Sequence, residues 1–397
     1  MRILYAGTLP PHQGGSAISA AQILTGLARR GHDVHALGPM ASGTGGDDAF
    51  ASGQAEIAVH RFEVPAFAVE PAHVDLAAPL EGSLARSHVD SLLAFLRPDV
   101  LFTGRESYVC GCVDAADAAG VAAVSRLAGG WLYQGTLDRS LPPTRCAEWT
   151  RSLRLSDLVV VPARHMAEPA HRLGARRVEV VRNSIEVDAF RTAPRTGLRS
   201  RLGISPGDVV VTSVANLHER KRPADVLRAA ELALAKDHRL RFVFAGAGTL
   251  AAELRTQVEA GSHGDRIRFL GWLDYDQIPS LLGLSDMVVL ASSSEGLARI
   301  SLEAQAAGRT LIASDIPPNR EVVDDGVNGL LFGLGDVGAL AARILTAAAD
   351  PDLRRRLGAA ARSRVEAHRI EDAVARYEEL LAEPIGASPA RRRLRVR

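Results

Sequence analysis

The sequence predicts an α/β protein built as two Rossmann-like, doubly wound domains facing a central cleft. Three observations point there. Apolar runs of strand length alternate with segments of helical periodicity, which is the pattern of a parallel sheet covered by helices. The alternation stops once, across residues 191–207, and then restarts. A chain of 397 residues with 47% hydrophobic content is long enough for two cores.

The first domain spans 1–190. Arg2–Ala6 is an apolar strand, a Gly/Pro loop runs through Gly15, and Ile18, Ala21, Leu24 and Ala28 mark one face of a helix that Gly31 stops. His32–Leu37, Asp99–Thr103, Val121–Leu127 and Leu158–Pro162 are further strands, and the domain closes near Val178–Arg182. Residues 191–207, rich in Arg, Gly and Pro and without an apolar stripe, read as a linker. The second domain, 208–368, carries strands Val209–Val214, Arg241–Ala245, Ile267–Leu270 and Met287–Ala291, with helices Pro223–Ala235, Leu250–Ala260 and Gln277–Leu284 between them. A last helix over 369–383, ended by Pro384, is expected to pack back on the first domain, and 384–397 is a basic tail. Two such domains create a cleft, which is the expected active site.

Forty-seven basic residues balance 46 acidic ones, so nucleic acid is not the expected partner. Only Ala390–Arg397 is strongly basic; such an end is solvated, with weak contact to an anionic membrane surface as the other reading. Cys110, Cys112 and Cys146 are too few and too unevenly spaced for a disulfide framework. Met1–Leu37 has neither an apolar run of about 18 residues nor a signal-peptide pattern. A reducing cytoplasm is therefore the expected compartment. The Arg-rich composition points to a GC-rich bacterial genome, and Lys221 and Lys236 are the only lysines, so a lysine-dependent chemistry has two candidates.

Most of the chemistry lies in Ala291–Asp315, ASSSEGLARISLEAQAAGRTLIASD. A strand ends in a Ser-rich loop, Glu295–Gly296 begins a turn, a helix from about Ala298 carries Glu303, and Gly308 precedes a strand at Thr310–Ala313. Two carboxylates thus sit at the carboxyl edge of the sheet. Were the residues between them helical, they would lie roughly 12 Å apart along the axis, one for each end of an elongated ligand. The N–H groups of Gly296, Leu297 and Ala298 at the helix start suit anionic or hydroxyl-rich groups. On the plainer reading, Glu295 is a helix-entry carboxylate and Glu303 a surface residue.

This segment resembles the E-x7-E signature of family 4 of the glycosyltransferases, with Glu295 and Glu303 in the two glutamate positions. Further blocks fall in the family's order: Gly14–Gly15 in the first loop, Asn183-Ser184-Ile185-Glu186, Ser213–Lys221, Phe244–Gly248, Arg268–Gly271 and Glu321–Leu331. The resemblance implies the two-domain GT-B fold and retaining transfer from a nucleotide-diphosphate sugar, most often a UDP-sugar. The acceptor is not identified; small molecules, natural products and envelope glycans all fit. It further implies Glu303 on the ribose hydroxyls, Glu295 on the hydroxyls of the transferred sugar, and Lys221 as a compact point charge on the diphosphate, with the Gly14–Gly15 amides near the same phosphates. Lys221, Glu295 and Arg126 are then the catalytic candidates, and Asn216, Arg220, Gly246, Gly296, Leu297 and Ala298 complete the donor site. No metal and no cofactor is expected, the nucleotide sugar being a substrate.

Two departures from the family pattern stand out. The arginine that precedes the lysine there is Asn216 here, leaving Arg220 or Arg222 to supply a second charge. No histidine follows the central strand of the first domain: Val124–Trp131 reads VSRLAGGW, with Arg126 and Ala128 where it is sought. They motivate the alternative of a catalytically inactive binding or activator subunit. Other motifs point elsewhere. Gly246-x-Gly248-x-x-Ala251 fits the dinucleotide fingerprint but lacks the acidic residue about 20 positions on. Asp274-Tyr275-Asp276 looks like a metal-binding DxD and is read instead with Asp276 capping a helix that begins at Gln277. Cys110-x-Cys112 reads as two small core residues.

Overall fold

The computed structural model describes residues 1–10, 14–41, 56–65, 74–129, 135–137, 140–192 and 197–387, those of 74–81 by backbone alone. They fall into two compact units, one formed by Met1–Asn183 with the chain from Ile370 onward, the other by Ser184–Arg369.

In the first unit seven strands, β1 (Arg2–Ala6), β2 (Asp33–Ala41), β3 (Ile57–Val64), β4 (Val100–Thr103), β5 (Ala122–Arg126), β6 (Leu158–Val161) and β7 (Val178–Val180), form one parallel sheet in the order β3-β2-β1-β4-β5-β6-β7. Side chains alternate across it. Ile3 and Tyr5 face α1 (Gly15–Arg29) and the C-terminal helix Ile370–Ala387, packing with Leu24, Leu27, Tyr377 and Leu380. Leu4 and Ala6 face the opposite way, toward α2 (Val74–Leu96), α3 (Glu106–Ala118) and α4 (Pro143–Leu155), where Val89, Val113 and Trp149 close a second core. Burial on both faces explains why the inner strands read as unbroken apolar runs. By contrast β3, IAVHRFEV, is an edge strand with His60, Arg61 and Glu63, too polar to be recognised in the sequence.

On β2 and β3 the rings of His35 and His60 stack, with Nδ1 of one 3.1 Å from Nε2 of the other, and Asp33 lies 3.2 Å from His35. Burial, aided by the neighbouring His35, holds the His60 imidazole below its ordinary pKa. The unfolded chain therefore takes up a proton, near pH 6.5, that the folded chain resists. Stability contributed by neutral His60 is lost as pH falls below that value. The melting temperature is expected to drop between about pH 7.5 and about pH 5.5, and to drop less in His60→Gln. Equal slopes for the two proteins would overturn this.

The second unit holds β8 (Val209–Val214), β9 (Leu240–Ala245), β10 (Ile267–Phe269), β11 (Met287–Leu290), β12 (Thr310–Ser314) and β13 (Leu330–Phe332), all parallel, in the order β10-β9-β8-β11-β12-β13. Helices α5 (Pro223–Leu234), α6 (Ala251–Ala260), α7 (Ile278–Leu284), α8 (Arg299–Ala306), α9 (Val337–Ala349) and α10 (Pro351–Arg364) surround it. No helix among the described residues is long and apolar enough to cross a membrane.

The boundaries differ from the expected ones. The units divide after Asn183, not after 190, because Ile185 forms a β-bridge with Arg369 and Phe190 is buried. Within the expected linker, Leu198–Arg201 is a helix and Ile204 is buried beside Leu281 and Leu284. Its apolar residues Leu198, Leu202 and Ile204 are too few to show a stripe. The last helix runs on to Ala387 with Pro384 inside it. Proline's fixed φ is helical, and near a helix end only one backbone hydrogen bond is forfeited. The basic tail 390–397 lies outside the described residues.

Candidate functional site

In the second unit β8 and β11 are neighbours, and strand order reverses between them. Chains leaving the carboxyl ends of such a pair diverge, and the crevice they open is where open α/β sheets take ligands. Both segments singled out in the sequence leave these two strands.

The chain leaving β8 runs against the chain leaving β9. Leu217 N donates to Ala247 O at 2.8 Å and Leu250 N to Leu217 O at 3.0 Å. A Cβ on Gly246 (φ 140°) would stand 1.9 Å from Ala215 O, and one on Gly248 2.5 Å from Leu217 O. The G-x-G spacing is thus explained by backbone packing. Half-buried Asn216 lies in this contact, its carbonyl accepting from His218 N at 2.9 Å. A single 3₁₀ turn, Glu219–Lys221, then presents Lys221 ahead of α5.

The chain leaving β11 is laced to that turn. Ser293 donates from N and Oγ to Arg220 O at 2.9 and 3.1 Å, and Arg220 Nη1 donates to Ser294 O at 3.1 Å. These bonds bring Lys221 Nζ onto Glu295 Oε1, with Arg220 Nη1 3.7 Å from Oε2. The Glu295 side chain is only 8% exposed. Burial works against its charge, but Lys221 and Arg220 outweigh it and hold the carboxyl below its ordinary range. Gly296, Leu297 and Ala298 follow, all buried, and no side chain caps the start of α8 at Ala298. Because α8 begins only at Arg299, the two glutamates are not joined by continuous helix.

Glu303, one turn into α8, is buried rather than a surface residue. Arg299 Nε lies 3.5 Å from its Oε1, and the same guanidinium donates to Ser184 O and to Tyr275 Oη, both at 2.7 Å, while stacking over the Tyr275 ring. Burial pushes the Glu303 carboxyl up, with Arg299 and Tyr275 opposing it. Arg299 and Tyr275 were not anticipated. The i, i+4 spacing of Arg299 and Glu303 on α8 was the available signal for the arginine; the tyrosine had none.

Gly14, Gly15 and Arg126 belong to the first unit. Gly14 (φ 122°) precedes α1, no side chain caps that helix, and among the described residues a Cβ at Gly14 would meet nothing within 4 Å. Arg126, at the end of β5, is buried and donates to Tyr377 Oη at 3.1 Å, Ser19 Oγ at 2.9 Å and Asn183 Oδ1 at 3.0 Å. Its Nη1 makes no hydrogen bond, and no carboxylate offsets its charge among the described residues. Ala128 N and Gly129 N both donate to buried Glu106, at 2.8 and 2.7 Å, which fixes the loop where a histidine was sought.

Asp274, not Asp276, is the capping residue: its side chain and that of Gln277 form a reciprocal box around the 3₁₀ turn Tyr275–Gln277. That turn precedes α7, so the first N–H needing a partner lies three residues after Asp274. Among the described residues, no group of three or more His, Cys, Asp or Glu side chains is placed to hold a metal ion.

Residues 13–189 match the family model described as Glycosyltransferase Family 4, and residues 195–364 match Glycosyl transferases group 1. N-acetyl-alpha-D-glucosaminyl L-malate synthase of Bacillus anthracis is 29% identical over 229 residues, 57% of this chain and 59% of that protein. D-inositol 3-phosphate glycosyltransferase of Geodermatophilus obscurus is 31% identical over 227 residues, 54% of this chain and 50% of that protein. The chain thus spans about half the length of the curated relatives it matches. Among solved structures, sucrose-phosphate synthase from Thermosynechococcus elongatus superposes with a TM-score of 0.83 at 17% identity, over 98% of this chain and 100% of that one. HepE from Anabaena, in complex with UDP-glucose, does so at 0.78 and 20%, over 96% and 100%. With one family model on each half of the sequence and two parallel-sheet domains of GT-B type, the chain belongs to the family 4 glycosyltransferases.

Proposed function

We propose that this protein is a retaining glycosyltransferase that moves a sugar from a nucleotide-diphosphate donor, a UDP-sugar, to a small-molecule, natural-product or envelope-glycan acceptor. One observation carries the reading: the Lys221 ammonium and the buried Glu295 carboxylate meet at the switch point of the second sheet, beside the start of a helix that no side chain caps. An ammonium has three donors and a carboxylate about four lone-pair sites, so one mutual contact exhausts neither group. The relatives' names, one for an inositol 3-phosphate glycosyltransferase and one for a glucosaminyl malate synthase, support a small acceptor, and the UDP-glucose complex of HepE supports a uridine donor.

On this reading Lys221, Arg220 and the amides of Gly296, Leu297 and Ala298 meet the diphosphate, Glu295 accepts from the hydroxyls of the sugar, and Glu303 accepts from those of the ribose. Asn216 and Gly246 line the same crevice. When the bond from the anomeric carbon to the diphosphate oxygen breaks, negative charge develops on the leaving group. Lys221 then stabilises the transition state more than the ground state. The acceptor hydroxyl attacks on the face the diphosphate leaves, and its proton passes to a leaving phosphate oxygen. Gly14, Gly15 and Arg126 are the first unit's candidates for an anionic ligand, each testable by substitution.

A thermal-shift screen of nucleotide sugars, followed by donor hydrolysis or transfer, tests the proposal. A ligand at about 100 times its Kd adds about 2.7 kcal/mol of stability. Absence of any shift would overturn the donor site, while binding without turnover would favour an inactive binding or activator subunit. Turnover is also expected to survive excess chelator, the phosphate charge being met by Lys221, Arg220 and amides. Complete loss, restored by magnesium or manganese, would overturn that assignment.

A further inference from the structure

The first unit contains a cavity of about 250 Å³ that the transfer reading does not use. Its floor is the outer face of α3, at Ser107, Cys110 and Gly111, and α2 and α4 wall it on either side. The floor is low because α3 breaks there: Cys110 has ψ 124° and Gly111 φ 86°, and the side chains are small.

Three guanidiniums line the cavity, Arg86 from α2 and Arg145 and Arg151 from α4. Arg145 pairs with Glu148 at 3.2 Å and Arg151 with Asp114 at 3.5 Å. Arg86, whose stem lies against Gly111, pairs with no carboxylate among the described residues, so the lining carries one net positive charge. A second observation is independent of charge. Ser107 is 8% exposed, lines the cavity, and its Oγ makes no hydrogen bond. Buried hydroxyls without a partner are rare, and this one belongs to a residue that lines a space of ligand size.

We propose that this cavity binds the phosphate monoester of a small hydroxylated ligand, with Arg86 on the phosphate, Ser107 donating to one of its oxygens, and Asp114 and Glu148 accepting from hydroxyls of the carrier. Binding is non-covalent, since burial pushes the Cys110 thiol up to about 12. All of the lining residues belong to the first unit, and the proposal does not depend on the donor reading.

The same phosphate chemistry is found on free metabolites and on lipid headgroups, so the full chain is tested with both. Calorimetry with glycerol 3-phosphate is run with uridine diphosphate in excess, and flotation uses phosphatidylcholine vesicles with and without phosphatidic acid. Binding of either probe is expected, weakened about tenfold or more in Arg86→Gln and in Ser107→Ala but unchanged in Lys221→Ala. Glycerol 3-phosphate binding assigns a free ligand; phosphatidic acid alone assigns a headgroup. If neither probe binds, or if Arg86→Gln and Ser107→Ala bind as the parent does, the proposal is overturned. Arg86 is exposed, so melting of Arg86→Gln at the parent's temperature confirms that a loss of binding is not a loss of fold.

Discussion

Lys221→Ala is expected to lower kcat at saturating donor by about 10²–10³-fold, and by more than Glu303→Ala does. The reason is where charge appears: bond cleavage loads the diphosphate, while the ribose stays uncharged throughout. The geometry adds a complication. Without Lys221, buried Glu295 keeps only Arg220, at 3.7 Å, as a counter-charge among the described residues, so the variant also loses some stability. Lys221→Ala/Glu295→Gln removes that unpaired charge and should regain stability without regaining turnover. Steady-state kinetics on the three variants, with melting temperatures alongside, decides the matter. Equal losses of kcat for Lys221→Ala and Glu303→Ala would end the proposed division of roles.

Arg299→Leu should have the largest effect on stability. It removes the charged partner of a buried carboxylate, a change that typically costs about 3–5 kcal/mol. Burial already pushes the Glu303 carboxyl up, and Arg299 opposes it. An acid whose folded pKa lies above its unfolded value, about 4.3, holds more protons when folded. Stability therefore falls as pH rises through that window, and loss of Arg299 extends the window upward. The deficit of Arg299→Leu should be larger at about pH 8 than at about pH 5, and Glu303→Gln in the same chain should recover much of it. Denaturant unfolding at the two pH values measures both. Equal deficits with no recovery would mean that Arg299 acts through Ser184 and Tyr275 instead.

Much of this architecture is legible in the sequence, and what was missed has identifiable causes. Strands buried on both faces, such as β1, β6 and β11, are continuous apolar runs and were located to within a residue or two at either end. The edge strand β3 could not be, because His60, Arg61 and Glu63 interrupt its apolar pattern. Glu295 and Lys221 were legible one at a time through local spacing, whereas their contact depends on bonds between two strand exits some 70 positions apart, Arg220 to Ser293 and Ser294, and no window of sequence contains both. Tyr275 near Glu303 is a third case: it comes from a different loop, and no local spacing ties it to a glutamate 28 positions on. The Asp274 cap was misassigned by two positions because a 3₁₀ turn and an α-helix begin alike in the sequence.

The return of the C-terminal helix to the first unit sets an order on synthesis. Residues 184–369 are contiguous, so the second unit has all of its chain before the last helix leaves the ribosome. The first unit, although made first, must wait with part of the core around Ile3, Tyr5, Phe102 and Leu24 uncovered until Tyr377 and Leu380 arrive. Arg126 waits with them for the Tyr377 hydroxyl. A nascent chain stalled before residue 370 should therefore present a folded second unit and an adhesive first one, the species a chaperone would hold.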